Sequence, residues 1–274
     1  MANSGRFRKF RLPHLIIEYH AEKPKPHKAK LVEGLLGVGQ VGLLAVNHLI
    51  EELEATKLAD IYSPFFTYPG SSVPGVVYTQ NGTVELQKDE IYYSEEHDLF
   101  LLSGLYQGNT PETYYDLANA LLDFCDEFNV YEIYTLGGFG TGRIVESPQT
   151  FAVLSDPRDA EIVERHGGVV RSGREGTLGV TGISGLLLAM GYKTNRRSIC
   201  LLGETHGAYA DPKAARSVVE TLSGILGIEV DTKKLEERAD KIDEYMRQMV
   251  QTVLEQRKAE EEAEKPREEP PYIG

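Results

Sequence analysis

The stretch KLVEGLLGVGQVGLLAVNHLIEEL, residues 30–53, decides the fold class. It opens with a short apolar run, breaks at glycines, and then spaces its apolar residues at helical intervals. That pattern reads as a buried strand over 31–36, a glycine turn, and a helix over 40–53. Further β-prone runs lie at 59–66, 75–79, 83–93 and 98–104, each bounded by turn formers. Gln80, Asn81 and Gly82 separate GVVYT from TVELQ, so a hairpin is expected there. Beyond Gly104 the period changes. TPETYYDLANALLDFCDEF begins with Thr110 as a cap, Pro111 at the first helical position and a carboxylate in the first turn. Strands follow at 130–138 and 197–204. Residues 179–192 are helical in their second half, and the helix over 211–227 has Asp211 as cap, Pro212 first and Gly227 as stop.

Strands alternating with long helices require crossover connections, hence a largely parallel sheet covered on both faces. The hairpin makes that sheet mixed. One α/β domain over 31–230 accounts for these signals, preceded by an extension over 1–30 with a Pro and Lys spacer at 20–30. An amphipathic helix is expected over 231–256. In it Leu235, Ala239, Ile242, Met246, Met249 and Val253 step by four and three, with charge on the other faces. Such a stripe either docks on its own domain or pairs with another subunit. A charged, flexible tail over 257–274 closes the sequence.

Composition excludes several functions. The 274 residues carry a formal net charge of -13, which argues against nucleic-acid and anionic-membrane partners, since these recruit clustered Lys and Arg. The one basic block, Arg6, Arg8, Lys9 and Arg11, is followed by no apolar region of the length a secretory signal needs, and no run reaches the length of a membrane span. Cys125 and Cys200 lie in apolar segments and read as buried reduced thiols of a cytoplasmic protein. The seven histidines have no metal-ligand spacing, so neither a metal nor a cofactor is expected.

Loops at the carboxyl ends of strands are where chemistry would sit in such a sheet. Gly37, Gly39 and Gly42 form G-x-G-x-x-G between a strand and a helix, a dinucleotide fingerprint or else close helix-to-sheet packing. In GGFGTGR, the glycines Gly137, Gly138, Gly140 and Gly142 with Arg143 suit an anion-binding nest or plain tight turns. Glu204 and His206 form a candidate acid-base pair, but no nucleophile motif accompanies them, so no catalytic residue is assigned.

Taken together, EGLLGVGQVG (33–42), TLGGFGTGR (135–143), GVTGISGLLL (179–188) and LLGETHGAYADPKAARSVVETLSGILGIEVD (201–231) resemble the proteasome assembly chaperone family widespread in archaea. The resemblance spans roughly 31–253; Leu36 and His206 stand where many relatives carry Pro. It implies a three-layer αβα sandwich related to nucleoside phosphorylases, a homo-oligomer, and no established catalysis. It also implies a partner, the α-subunit ring of the proteasome, which several members of the family contact through a C-terminal motif of a hydrophobic residue, tyrosine and any residue. In this chain Tyr272, Ile273 and Gly274 follow Pro271, with the tyrosine one place early. Capture of a terminal carboxylate is a recurrent recognition mode. Each apolar side chain buried beside it contributes roughly 1.5 to 3 kcal/mol. The competing reading is a phosphorylase- or hydrolase-like enzyme using the 137–143 loop with Glu204 or His206.

Overall fold

The computed structural model describes residues 15–67, 71, 73–171, 179–245, 248 and 252. Its main sheet contains nine strands: β1 (Ile16–Tyr19), β2 (Lys30–Leu35), β3 (Thr56–Tyr62), β6 (Asp89–Ser94), β7 (Leu99–Gly104), β8 (Glu132–Gly140), β9 (Thr150–Leu154), β10 (Gly168–Val170) and β11 (Arg197–Thr205). Strands β4 (Val76–Tyr78) and β5 (Val84–Leu86) form a separate hairpin. The order across the main sheet is β1-β3-β6-β7-β2-β8-β11-β9-β10. Its centre, β7-β2-β8-β11, is parallel throughout. Antiparallel pairing begins on either side, at β6 and at β9.

The crossovers that make the centre parallel are helices. The helices α1 (Val41–Glu52), α3 (Ala160–Arg165) and α5 (Pro212–Leu226) cover one face, and α2 (Pro111–Glu127) and α4 (Gly182–Lys193) the other. Two apolar cores result. One gathers Leu31, Phe100, Leu102, Phe124 and Leu187, the other Val32, Leu101, Leu136, Leu201 and Val218. Neighbours in sequence such as Leu31 and Val32 fall into opposite cores because strand side chains alternate, so a strand buried on both sides reads as a continuous apolar run.

Local signals place the helix ends. Thr110 accepts from the Thr113 N–H, with Pro111 at the first position of α2. Asp211 accepts from the Ala214 N–H at the start of α5, and Gly227 ends that helix in the left-handed region at φ 69°. The expected hairpin closes through the Thr79 N–H donating to the Thr83 carbonyl at 2.9 Å, with Gly82 at φ 76°. Two glycines of the first turn, Gly39 and Gly42, serve packing. A Cβ on Gly42 would lie 2.3 Å from the Leu136 carbonyl oxygen, so α1 touches β8 backbone to backbone.

Three features differ from the sequence reading. First, a strand lies inside the stretch assigned to an N-terminal extension: β1 pairs antiparallel with β3, and Leu15, Ile17 and Tyr19 pack on the core. Its anchor is Asp60, which bonds His20 at 2.8 Å and Lys88 at 3.1 Å. Second, residues 83–93 form two strands, because β5 belongs to the hairpin and β6 to the main sheet. Third, β9, α3 and β10 fill 150–170, a region that the sequence reading left without elements.

A last helix, α6, occupies 233–245, with 248 and 252 also helical. Leu235 and Ala239 are buried, and Leu235 belongs to the core beside α1 and α5. Ion pairs from Lys234 to Glu52, Arg238 to Glu51 and Lys213 to Asp243 hold the helix on its own domain. His48 completes the seat, its Nε2 lying 2.7 Å from the Asp231 carbonyl. Ile242 is half-buried. Met246, Met249 and Val253 lie outside the described residues.

Candidate functional site

At the carboxyl ends of the parallel strands, where ligands enter open α/β sheets, lies a cavity of about 800 Å³. The ends of β2 and β8, the loop after β7 and the start of α4 wall it. Gln107 ties three of these together. Its Nε2 donates to the Leu36 carbonyl at 2.6 Å, and its Oε1 accepts from the Ile183 N–H at 3.1 Å. One side chain therefore fixes the N-terminus of α4 against the end of β2.

Two carboxylates are fully buried nearby. Glu33 accepts from the Leu35 N–H at 3.1 Å and from the Ser184 hydroxyl at 2.8 Å, and Ser184 lines the cavity. Burial disfavours its charged form more than these two donors favour it, which pushes its pKa up to about 7. Asp89 accepts from the Tyr106 N–H at 3.1 Å, while its Oδ2 has no hydrogen-bond partner. Desolvation first, with the negative charge of Glu33 adding to it, raises the Asp89 carboxyl well above the usual range. Sequence reading placed Glu33 in a buried strand without singling it out. The available signal was a carboxylate inside an otherwise apolar run.

The glycine-rich segment differs from the loop that its composition suggests. Gly137, Gly138 and Gly140 belong to β8, paired with Leu202, Gly203 and Thr205 of β11. A Cβ on Gly138 would stand 2.2 Å from the Val38 carbonyl oxygen, so the absence of a side chain there admits the turn before α1. The Thr141 N–H donates to the Thr205 carbonyl at 2.8 Å, and the Arg143 N–H to the Thr141 hydroxyl at 3.3 Å. These donors are therefore engaged within the loop. Gly142 is at φ 68°, and Arg143 is exposed, away from the cavity wall.

Glu204 and His206 also stand off the cavity wall. Glu204 accepts from the Gln149 N–H at 3.4 Å. The His206 Nδ1 accepts from the Ala208 N–H at 3.0 Å, its Nε2 lies 3.7 Å from Asp211, and its ring rests on Tyr209 with centroids 3.9 Å apart. Asp211 is itself occupied by Thr205 and by the start of α5. This histidine supports the turn that begins a helix. The structure brings Gly137, Gly138 and Gly140 to the cavity and leaves Gly142, Arg143, Glu204 and His206 off it.

Both cysteines are buried and free, their thiols pushed up to about 12 by desolvation. Among the described residues no group of His, Cys, Asp and Glu could hold a metal ion, and no helix is long and apolar enough to cross a membrane. Tyr272, Ile273 and Gly274 lie outside the described residues.

Comparison with known proteins gives concordant matches. Residues 31–250 match the model of the PAC2 family. Pyrococcus furiosus PbaB, an archaeal proteasome activator, is 34% identical, with 86% of this chain and 98% of that one covered and a TM-score of 0.78. An uncharacterised protein of Methanocaldococcus jannaschii is 30% identical over 247 residues, covering 90% of this chain and 92% of its own length. Pyrococcus furiosus PbaA, an archaeal homologue of proteasome-assembly chaperone, is 24% identical with a TM-score of 0.74, covering 91% of this chain and 97% of that one, a likeness of fold.

Proposed function

The chain belongs to the PAC2 family, and from that premise we propose that it is a non-enzymatic assembly chaperone or adaptor of the proteasome in the cytoplasm. It docks on the α-subunit ring through Tyr272, Ile273 and Gly274. The observation that carries the reading is the 34% identity with PbaB across 98% of that activator's chain. The tail sequence supports it. A tyrosine and an isoleucine follow an acidic, proline-bearing stretch, and a groove between subunits would bury both.

One such tail binds weakly. Several tails on one homo-oligomeric body bind one ring with raised effective concentration, and avidity follows without new contacts. A rigid body with a tethered tail suits that division of labour. The phosphorylase- or hydrolase-like reading receives less support, because Arg143, Glu204 and His206 do not meet at the cavity.

Removing residues 272–274 tests the tail. The full chain should co-migrate with α rings on a native gel, and the truncated chain should not, while its own oligomer stays intact. Equal binding by both would refute docking through the tail.

A further inference from the structure

Docking through the tail leaves the cavity at the carboxyl ends of the parallel strands without a role. Its volume of about 800 Å³ is that of a small-molecule site. Charged residues make up 26% of the chain, yet none of the described residues lining this cavity is Asp, Glu, Lys, Arg or His. A smaller cavity between α5 and α6 is the opposite, with Glu146, Lys213, Arg216 and Glu236 on its walls. Leu36, Val38, Phe139 and Leu202 give the larger one apolar walls. A charged ligand entering there would lose water and meet no counter-charge among these residues.

Two polar features on the wall have a defined direction. Ser184, in the first turn of α4, commits its hydroxyl proton to Glu33 at 2.8 Å, while the Leu35 N–H holds the other carboxylate oxygen. Ser184 therefore offers lone pairs to the cavity, which suit an N–H or O–H donor. At the same helix start the Thr181 side chain makes no cap hydrogen bond, and Gln107 takes the Ile183 N–H. The other N–H groups of that turn have no acceptor within the helix. Gly182 and Ser184 both line the cavity.

A donor and an acceptor side by side, without charge, are the two halves of an amide. We propose that this cavity binds an uncharged ring compound bearing a primary or secondary amide, whose N–H donates to Ser184 Oγ and whose carbonyl accepts at the start of α4. The Glu33 carboxylate behind Ser184 sets the same preference, because it repels an anion.

The inference goes beyond ring docking and does not rest on it, and its test needs this chain alone. At pH 8, above the Glu33 pKa of about 7, ligand-observed NMR titrations compare three related probes. These are benzamide, the anion benzoate, and N,N-dimethylbenzamide, which is neutral but has no N–H. Benzamide should bind saturably, and the other two at least about tenfold more weakly. Leucine suits the backbone at Gly37, which is extended at φ -153° and where a Cβ would meet only the Leu35 carbonyl oxygen at 4.0 Å. Gly37→Leu should fill the cavity and abolish benzamide binding with unchanged circular dichroism. Ser184→Ala should erase the preference for benzamide over N,N-dimethylbenzamide. No saturable benzamide binding by the wild type, equal affinity for the three probes, binding retained in Gly37→Leu, or the preference retained in Ser184→Ala would each overturn the proposal.

Discussion

The centre of the sheet and the β4–β5 hairpin are both strands, yet they meet water in opposite ways. In β2, β7, β8 and β11 successive apolar residues are buried on both faces, and Leu31, Val32, Phe100 and Leu101 have no exposed surface. In the hairpin four apolar residues on one face stand in solvent. The centre is finished by its own helices, whereas the hairpin keeps one apolar face in water. Stability should therefore reside in the first and owe little to the second, and substitutions can separate the two.

The largest effect should come from the centre. Phe100 packs against Phe124 and Phe128, with ring centroids 5.0 Å apart in both cases, and against Tyr93 at 4.6 Å. Phe100→Ala should cost about 3 to 5 kcal/mol in urea-induced unfolding. A loss below about 1 kcal/mol would mean that the aromatic cluster is not the mainstay of that core.

Glu33 offers the next. Its folded pKa of about 7 lies above the ordinary 4.5, so the folded form keeps a proton that the unfolded chain gives up. The stability of the wild type is then complete below about pH 4.5 and declines as pH rises through about 7. Gln keeps the acceptor for the Leu35 N–H and carries no charge, and the Ser184 hydroxyl can rotate to accept from its amide. Glu33→Gln should thus match the wild type at pH 4 and exceed it at pH 8 by up to about 3 kcal/mol. Thermal melts across that range read the difference, and a gap independent of pH would contradict the assignment.

Smaller again is the helix cap. Asp211→Ala removes the acceptor of the Ala214 N–H and should cost about 1 kcal/mol, measured by denaturant titration. Smallest is the hairpin, where Val84→Ser should move the stability of the body by no more than about 0.5 kcal/mol. A large loss from that exposed site would erase the contrast between the two regions.

Much of this was legible in the sequence because it is written locally. Thr110, Pro111, Asp211, Pro212 and Gly227 mark their helix ends by chemistry that needs no distant partner. The hairpin was marked by Asn81-Gly82 between alternating runs. What escaped depends on tertiary pairing. Strand β1 exists because β3 offers it an edge, and the spacer that follows it hides the signal. The run TFAVL at 150–154 had strand composition, but its direction against β11 is fixed only by the fold.

The candidate site divides the same way. Glycines at 137–140 suggest a loop, yet β11 pairs with them in register, and Val38 occupies the space that a side chain on Gly138 would need. The periodic stripe over 235–253 was visible. That Leu235 and Ala239 spend it on their own domain depends on α1 and α5, which meet only after folding. The cavity draws its walls from four distant segments, so Gln107 and Glu33 acquire their significance from the structure alone.

Physical contact with the proteasome α ring is what the proposed function requires. Native mass spectrometry of this chain mixed with purified α rings reads that contact. A species at the mass of the ring plus a whole number of chains, dispersed by an excess of a peptide ending in EEPPYIG, is the predicted result. Rings and chains that fly separately at micromolar concentration would contradict it.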